Sequence, residues 1–91
     1  GYIGVWIDVD RAEVINFYVD KEYQSMGFGS MMLEFVIELC KMSNVPNISL
    51  EVRRSNEKAI KLYNKYGFVY SHDRVRYYKD GEDALVLIKT L

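Results

Sequence analysis

Cysteine, proline and histidine are nearly missing from this sequence: among its 91 residues there is one of each. A lone thiol, Cys40, cannot close an internal disulfide, and with no second Cys and no nearby His it has no metal-ligand spacing. A disulfide scaffold is therefore excluded, no metal is expected, and a reducing compartment fits. No apolar run approaches the roughly 18 residues that a membrane span needs, and the N-terminus lacks the basic-then-apolar order of a secretory signal. No membrane partner is expected, and the cytoplasm is the expected location. Charge of one sign is missing too, since 12 Lys and Arg face 13 Asp and Glu for a formal charge of −1. Without a basic block there is nothing to neutralise a row of phosphates, so a nucleic-acid partner is not expected. There is no repeat, low-complexity tract or linker, which makes residues 1–91 a single domain. The first residue is Gly1 rather than Met and opens directly on a strand-like run, so the domain reads as N-terminally incomplete.

What is present is ordinary globular material: 49% apolar, 14% aromatic and 27% charged residues. A chain this short buries only roughly 60 to 65% of its unfolded surface, so its stability is expected to be marginal unless something else covers it.

Runs of Val, Ile, Tyr, Phe and Trp at Tyr2 to Ile7 and Glu13 to Val19, separated by the polar DVDRA, predict a hairpin. After the Gly-containing KEYQSMGFGS, the apolar residues Phe28, Met32, Phe35, Val36 and Leu39 fall at helical spacing and predict a helix over about 28–43 with that stripe in the core. Asn44 suits its C-terminal cap, and Pro46 cannot continue it. In NISLEVR, Ile48, Leu50 and Val52 alternate with Ser49, Glu51 and Arg53, the period of a strand with two different faces. Ser55 or Asn56 as N-cap and Gly67 past the last turn bracket a second helix. Phe68 to Ser71 and Val75 to Lys79 read as a strand or broken strand, and Ala84 to Ile88 as a strand buried on both faces. The predicted order is ββαβαββ, an α/β (α+β) domain around a mixed sheet.

A loop that leaves a strand and enters a helix N-terminus exposes several backbone N–H groups, and with the helix dipole these attract an anion such as phosphate. Gly27 and Gly29 let a ligand approach the backbone closely. The same loop can also be a purely structural turn. A dinucleotide fingerprint fails at Met32, and the GK[ST] of a P-loop is absent.

QSMGFGS at Gln24 to Ser30 fits QxxGxG and follows FYVDKEY, resembling motif A of the GNAT acetyltransferases. LEVRRSN at Leu50 to Asn56, AIKLYNKYGF at Ala59 to Phe68 and YYKDGEDALVL at Tyr77 to Leu87 follow in that family's order and spacing. The likeness covers nearly the whole chain and is nearest to the ribosomal-protein alanine and related Nα-terminal acetyltransferases. It implies a GNAT fold lacking its first strand and helices. It also implies an N-acetyltransferase that moves an acetyl group from acetyl-coenzyme A to a primary amine, such as a protein N-terminus, by direct transfer.

The resemblance places the pantetheine arm in a splay between two neighbouring strands, on the backbone of Phe17, Tyr18 and Val19 at the end of the earlier one. It places the pyrophosphate on the loop of Gln24, Ser25, Met26, Gly27, Phe28, Gly29 and Ser30. Ser25 and Ser30 stand where relatives often carry Arg or Lys, which implies weaker phosphate binding with a smaller salt dependence. Glu51 takes the position of the general base, and Tyr63 that of the acid that protonates the leaving thiolate. Asn56 falls at a cofactor contact, the Val19 N–H at the thioester carbonyl, and Tyr77 and Tyr78 near the acceptor. Each has a structural alternative: an exposed carboxylate for Glu51, core packing for Tyr63, a helix N-cap for Asn56 and strand stabilisation for the paired tyrosines. An α-amino group of pKa about 8 is roughly a tenth neutral at pH 7, so a carboxylate acting through one water suffices as base. Cys40 reads as a small core residue and His72 as a surface one. One alternative is a GNAT enzyme that acts on a small-molecule or lysine amine; the alternative of a different class is a cofactor-binding fragment or silent interaction module, with an exposed sheet edge pairing to a second copy as a homodimer.

Overall fold

A computed structural model describes residues 2–7, 11–18 and 27–91. The elements are β1 (Tyr2–Ile7), β2 (Ala12–Tyr18), α1 (Phe28–Met42), β3 (Asn47–Arg53), α2 (Glu57–Lys65), β4 (Val69–Arg74) and β5 (Ala84–Thr90). This is the ββαβαββ order read from the sequence. The five strands form one mixed sheet in the order β1-β2-β3-β5-β4, in which β2 and β3 are parallel and the other neighbours antiparallel.

The alternation in β3 sorts its side chains cleanly. Ile48, Leu50 and Val52 are buried, while Ser49, Glu51 and Arg53 on the opposite face are half-buried. The buried row packs with Leu33, Val36, Ile37 and Cys40 of α1, Tyr63 of α2, and Phe68 and Leu87. Both helices therefore lie over the same face of the sheet, and the Tyr66 hydroxyl ties them together by donating to Glu34 Oε1 at 2.7 Å. Cys40 is a buried core residue whose thiol is pushed up by burial, and His72 is exposed on β4.

Both helices end in the same closure. At α1 the Asn44 N–H donates to Lys41 O and the Val45 N–H to Cys40 O, with Asn44 left-handed at φ 60°. At α2 the Gly67 N–H donates to Asn64 O and the Phe68 N–H to Tyr63 O, with Gly67 at φ 91°. This paired pattern satisfies two orphan carbonyls at each helix end and needs a residue tolerant of positive φ, as Asn and Gly are.

Two expectations fail. The core face of α1 is Leu33, Val36, Ile37 and Cys40, whereas Phe28, Phe35 and Leu39 are exposed, Phe35 at 66%. The helix carries apolar residues around most of its circumference, so several faces satisfy helical spacing, and the sheet selects the one that fills its groove. The segment after β4 is not a strand either. Arg76 turns left-handed at φ 49°, its N–H donates to Asp83 Oδ1 at 2.8 Å, and Gly81 N–H to Tyr78 O closes a turn. β4 thus ends at Arg74.

Candidate active site

β2 and β3 are each seven residues long, yet they pair only through Ala12–Ile48, Glu13–Ser49 and Val14–Leu50. The reason lies on the other side of β2. Against β1, Gly4 pairs with Asn16 while Val5 pairs with Val14, so Ile15 is an extra residue on β2. A bulge of this kind bends its strand and ends pairing locally. It falls one residue past the last β2–β3 pair. Beyond it Phe17 and Tyr18 keep their partners Ile3 and Tyr2 on β1, and Glu51 to Arg53 keep theirs on β5. The facing backbone edges of β2 and β3 are left splayed apart.

A helix that joins two parallel neighbouring strands starts at their C-terminal ends, so α1 begins at the open end of this splay. Its N-cap is Gly27 at φ 81°, with no side-chain cap and no acidic residue in the first turn. A Cβ built on Gly27 would meet nothing within 4 Å. The positive end of the α1 dipole lies at this N-terminus, a setting suited to an anion.

Glu51 is the first β3 residue beyond the last pair with β2. It lies on the face away from the helices, with its side chain 16% exposed. Its Oε2 is enclosed and accepts no hydrogen bond among the described residues. Arg74 Nε stands 3.7 Å from that oxygen, an ion-pair distance too long for a hydrogen bond. The Tyr77 phenol is pushed up from its ordinary range by hydrogen bonding to Glu51 and then by that carboxylate's charge. An enclosed unsatisfied acceptor costs about 1–3 kcal/mol. A ligand N–H or a water can recover it.

On the helix side, the Asn56 Oδ1 caps α2 by accepting from the Ala59 N–H at 3.2 Å. Tyr63, two turns along, is buried, and its phenol is pushed up to about 12 by burial first and by Tyr78 second. It is held by its Phe68 neighbour, with ring centroids 5.9 Å apart in an edge contact. The Tyr78 phenol is raised mainly by burial, against the lowering effect of Arg53 and with a smaller rise from Glu51. Tyr77 meets Tyr78 edge-on at 5.2 Å.

The sequence profile of the Acetyltransferase (GNAT) family matches residues 1–68. The chain belongs to this family. An Escherichia coli (strain K12) ribosomal protein bS18-alanine N-acetyltransferase is 40% identical over 82 residues, covering 87% of this chain and 55% of its own length. The crystal structure of the Escherichia coli ribosomal-protein-S18-alanine N-acetyltransferase has a TM-score of 0.90 at 36% identity, over 97% of this chain and 59% of that one. Arabidopsis thaliana Naa50 in complex with the bisubstrate analogue CoA-Ac-MVNAL has a TM-score of 0.90 at 29% identity, over 98% and 64%. This GNAT chain spans 55 to 61% of the length of the curated bacterial relatives it matches.

Of the GNAT site residues expected from the sequence, Phe17 and Tyr18 lie on β2 beside the splay, Gly27 caps α1, and Phe28, Gly29 and Ser30 form its first turn. Glu51 lies on β3, and Asn56 and Tyr63 belong to α2. Val19, Gln24, Ser25 and Met26 lie outside the described residues. Missed altogether was the charge cluster that holds Tyr77 and Tyr78 in place. Arg53 Nη1 bonds Asp80 Oδ2 and Glu82 Oε1, each at 2.8 Å, and its guanidinium lies 4.0 Å from the Tyr78 ring centroid. The available signal was Arg53 two residues from Glu51 on one strand face, with the acidic KDGED just after the tyrosines. No helix among the described residues is long and apolar enough to cross a membrane.

Proposed function

We propose that the chain is the cofactor-binding and catalytic part of an enzyme that transfers acetyl from acetyl-coenzyme A directly to a protein N-terminal amine. The family and the splayed β2–β3 pair support acetyl-coenzyme A as the donor substrate. The bacterial relative named for alanine on bS18 and the Naa50 complex with a CoA-linked peptide analogue support a protein α-amine as acceptor. The observation that carries the proposal is the enclosed, unsatisfied Glu51 Oε2 at the mouth of the splay.

In this reading the backbone groups of Phe17, Tyr18 and Val19 hydrogen-bond the pantetheine amides. The backbone from Gln24 through Ser30 receives the pyrophosphate with the α1 dipole behind it, and Asn56 flanks the cofactor at the start of α2. The Val19 N–H polarises the thioester carbonyl. Glu51 accepts a proton from the acceptor ammonium, directly or through one water, and the neutral amine attacks the carbonyl carbon. As the C–S bond breaks, the Tyr63 hydroxyl donates a hydrogen bond to the thiolate. A phenol near 12 does not readily surrender its proton to a thiolate of ordinary pKa about 8.5. Tyr63 therefore stabilises the leaving sulfur as a donor, and the proton shed by the amine balances the step.

The test is acetylation of Ala-starting peptides followed by mass spectrometry. Wild type should add one acetyl group at the α-amine, and Glu51→Gln should lower kcat by about 10²–10⁴. No acetylated peptide from the folded wild-type protein, or full activity of Glu51→Gln across pH, would overturn the assignment.

A further inference from the structure

The connection from β4 to β5 carries Tyr77 and Tyr78 over the Glu51 face, and its shape comes from side chains that play no part in the chemistry above. Glu82 divides its carboxylate between two anchors: Oε1 accepts from Arg53 Nη1 and Oε2 from the Ser55 N–H, each at 2.8 Å. Ser55 immediately precedes the N-cap of α2, and Arg53 is the last residue of β3. Arg53 also takes Asp80, whose other oxygen accepts from the Glu82 N–H at 3.1 Å. The Tyr78 N–H donates to Glu82 O at 3.2 Å, which closes the turn on itself, and the Arg54 N–H donates to Asp83 O at 3.2 Å, which ties the end of the turn to the residue after β3. The chain of contact runs from the α2 start through Glu82 and Arg53 to Tyr78, Tyr77 and Glu51.

We infer that Arg53 and Glu82 form a latch that positions Tyr77 and Tyr78 beside Glu51, so that they act as positioning residues for the acceptor and not for acetyl-coenzyme A. The geometry supports the division. The latch lies on the side of the sheet that carries Glu51, while the cofactor side of α2 is capped independently by Asn56. Arg53 suits the task because one planar group bonds two carboxylates and stacks on a ring at once, which a lysine ammonium cannot do.

This inference rests on the N-terminal acetylation reading, and steady-state kinetics with varied peptide and varied acetyl-coenzyme A separate the two. Glu82→Gln keeps the shape and removes the charge, and Arg53→Lys keeps the charge and removes the fork. Both should raise the KM for an Ala-starting peptide about tenfold, leaving kcat and the KM for acetyl-coenzyme A within about twofold. A peptide KM unchanged in both variants, or both substrates' KM rising together, would overturn the latch and leave the acetylation reading standing. No turnover in wild type would remove the reading and the positioning role with it.

Discussion

Tyr63 and Phe68 are joined twice, by a backbone bond from the Phe68 N–H to Tyr63 O at 3.0 Å and by their edge-packed rings. The first contact closes α2, and the second commonly accompanies that closure. The residue proposed to meet the leaving thiolate is therefore fixed by the way its helix ends. Tyr63→Phe keeps the ring and loses only the hydroxyl, so kcat should fall at least tenfold while the melting temperature stays within a few degrees. Phe68→Ala should cost about 3–5 kcal/mol in stability. Denaturant melts beside single-turnover rates would separate the two effects.

The elevated Tyr63 phenol has a signed pH consequence. Burial favours the neutral form in the folded state, so its contribution to stability is complete below the ordinary tyrosine value of about 10 and is lost as pH rises through about 12. An ultraviolet titration of wild type against Tyr63→Phe should show no difference in ionised phenol at pH values near 10. A difference there would place Tyr63 in solvent.

Glu82 behaves in the opposite sense. Hydrogen bonding by the Ser55 side chain, then by Arg53 and the Ser55 N–H, holds it at about 2. Its contribution is present above the ordinary carboxylate range and is lost as pH falls through about 2. The melting temperature of wild type should exceed that of Glu82→Gln at pH 5, and the two should converge at the acid extreme.

Much of the fold was legible because local signals agreed with it: Asn56 and Gly67 bracket α2, and the period of two in β3 puts Glu51 opposite the core. The misread face of α1 and the misread strand after Arg74 share a cause. Apolar content on several helix faces, and a YY pair in a turn, acquire meaning only from what lies across from them. The splay was expected from the resemblance alone, since a bulge is a mismatch between two strands and leaves no mark in either. The unsatisfied Glu51 oxygen was likewise invisible, because it depends on Arg74 and Tyr77 from a distant segment.

The two faces of α1 offer a direct check on that correction. Leu33→Ala should cost about 2–5 kcal/mol, whereas Phe35→Ser should change stability by no more than about 0.5 kcal/mol. Equal losses would mean that the exposed stripe is covered in solution.

For the cofactor, a thermal-shift titration with acetyl-coenzyme A should raise the wild-type melting temperature with concentration. Gly27→Glu should abolish the rise by placing a carboxylate before the start of α1. Gly27→Ala, which meets open space but must adopt φ 81°, should lower the baseline by about 1–2 kcal/mol and keep a rise.

Because the opening between β2 and β3 follows from one surplus residue at Ile15, it is a matter of counting rather than of side-chain chemistry. Substitutions along Phe17 and Tyr18 leave the count unchanged, so the slot can persist while those side chains drift. Removing a single codon at position 15 would let the two strands zip together and shut it. The slot is thus insensitive to side-chain identity along this part of β2 and sensitive to a deletion there, the reverse of a pocket built from side chains.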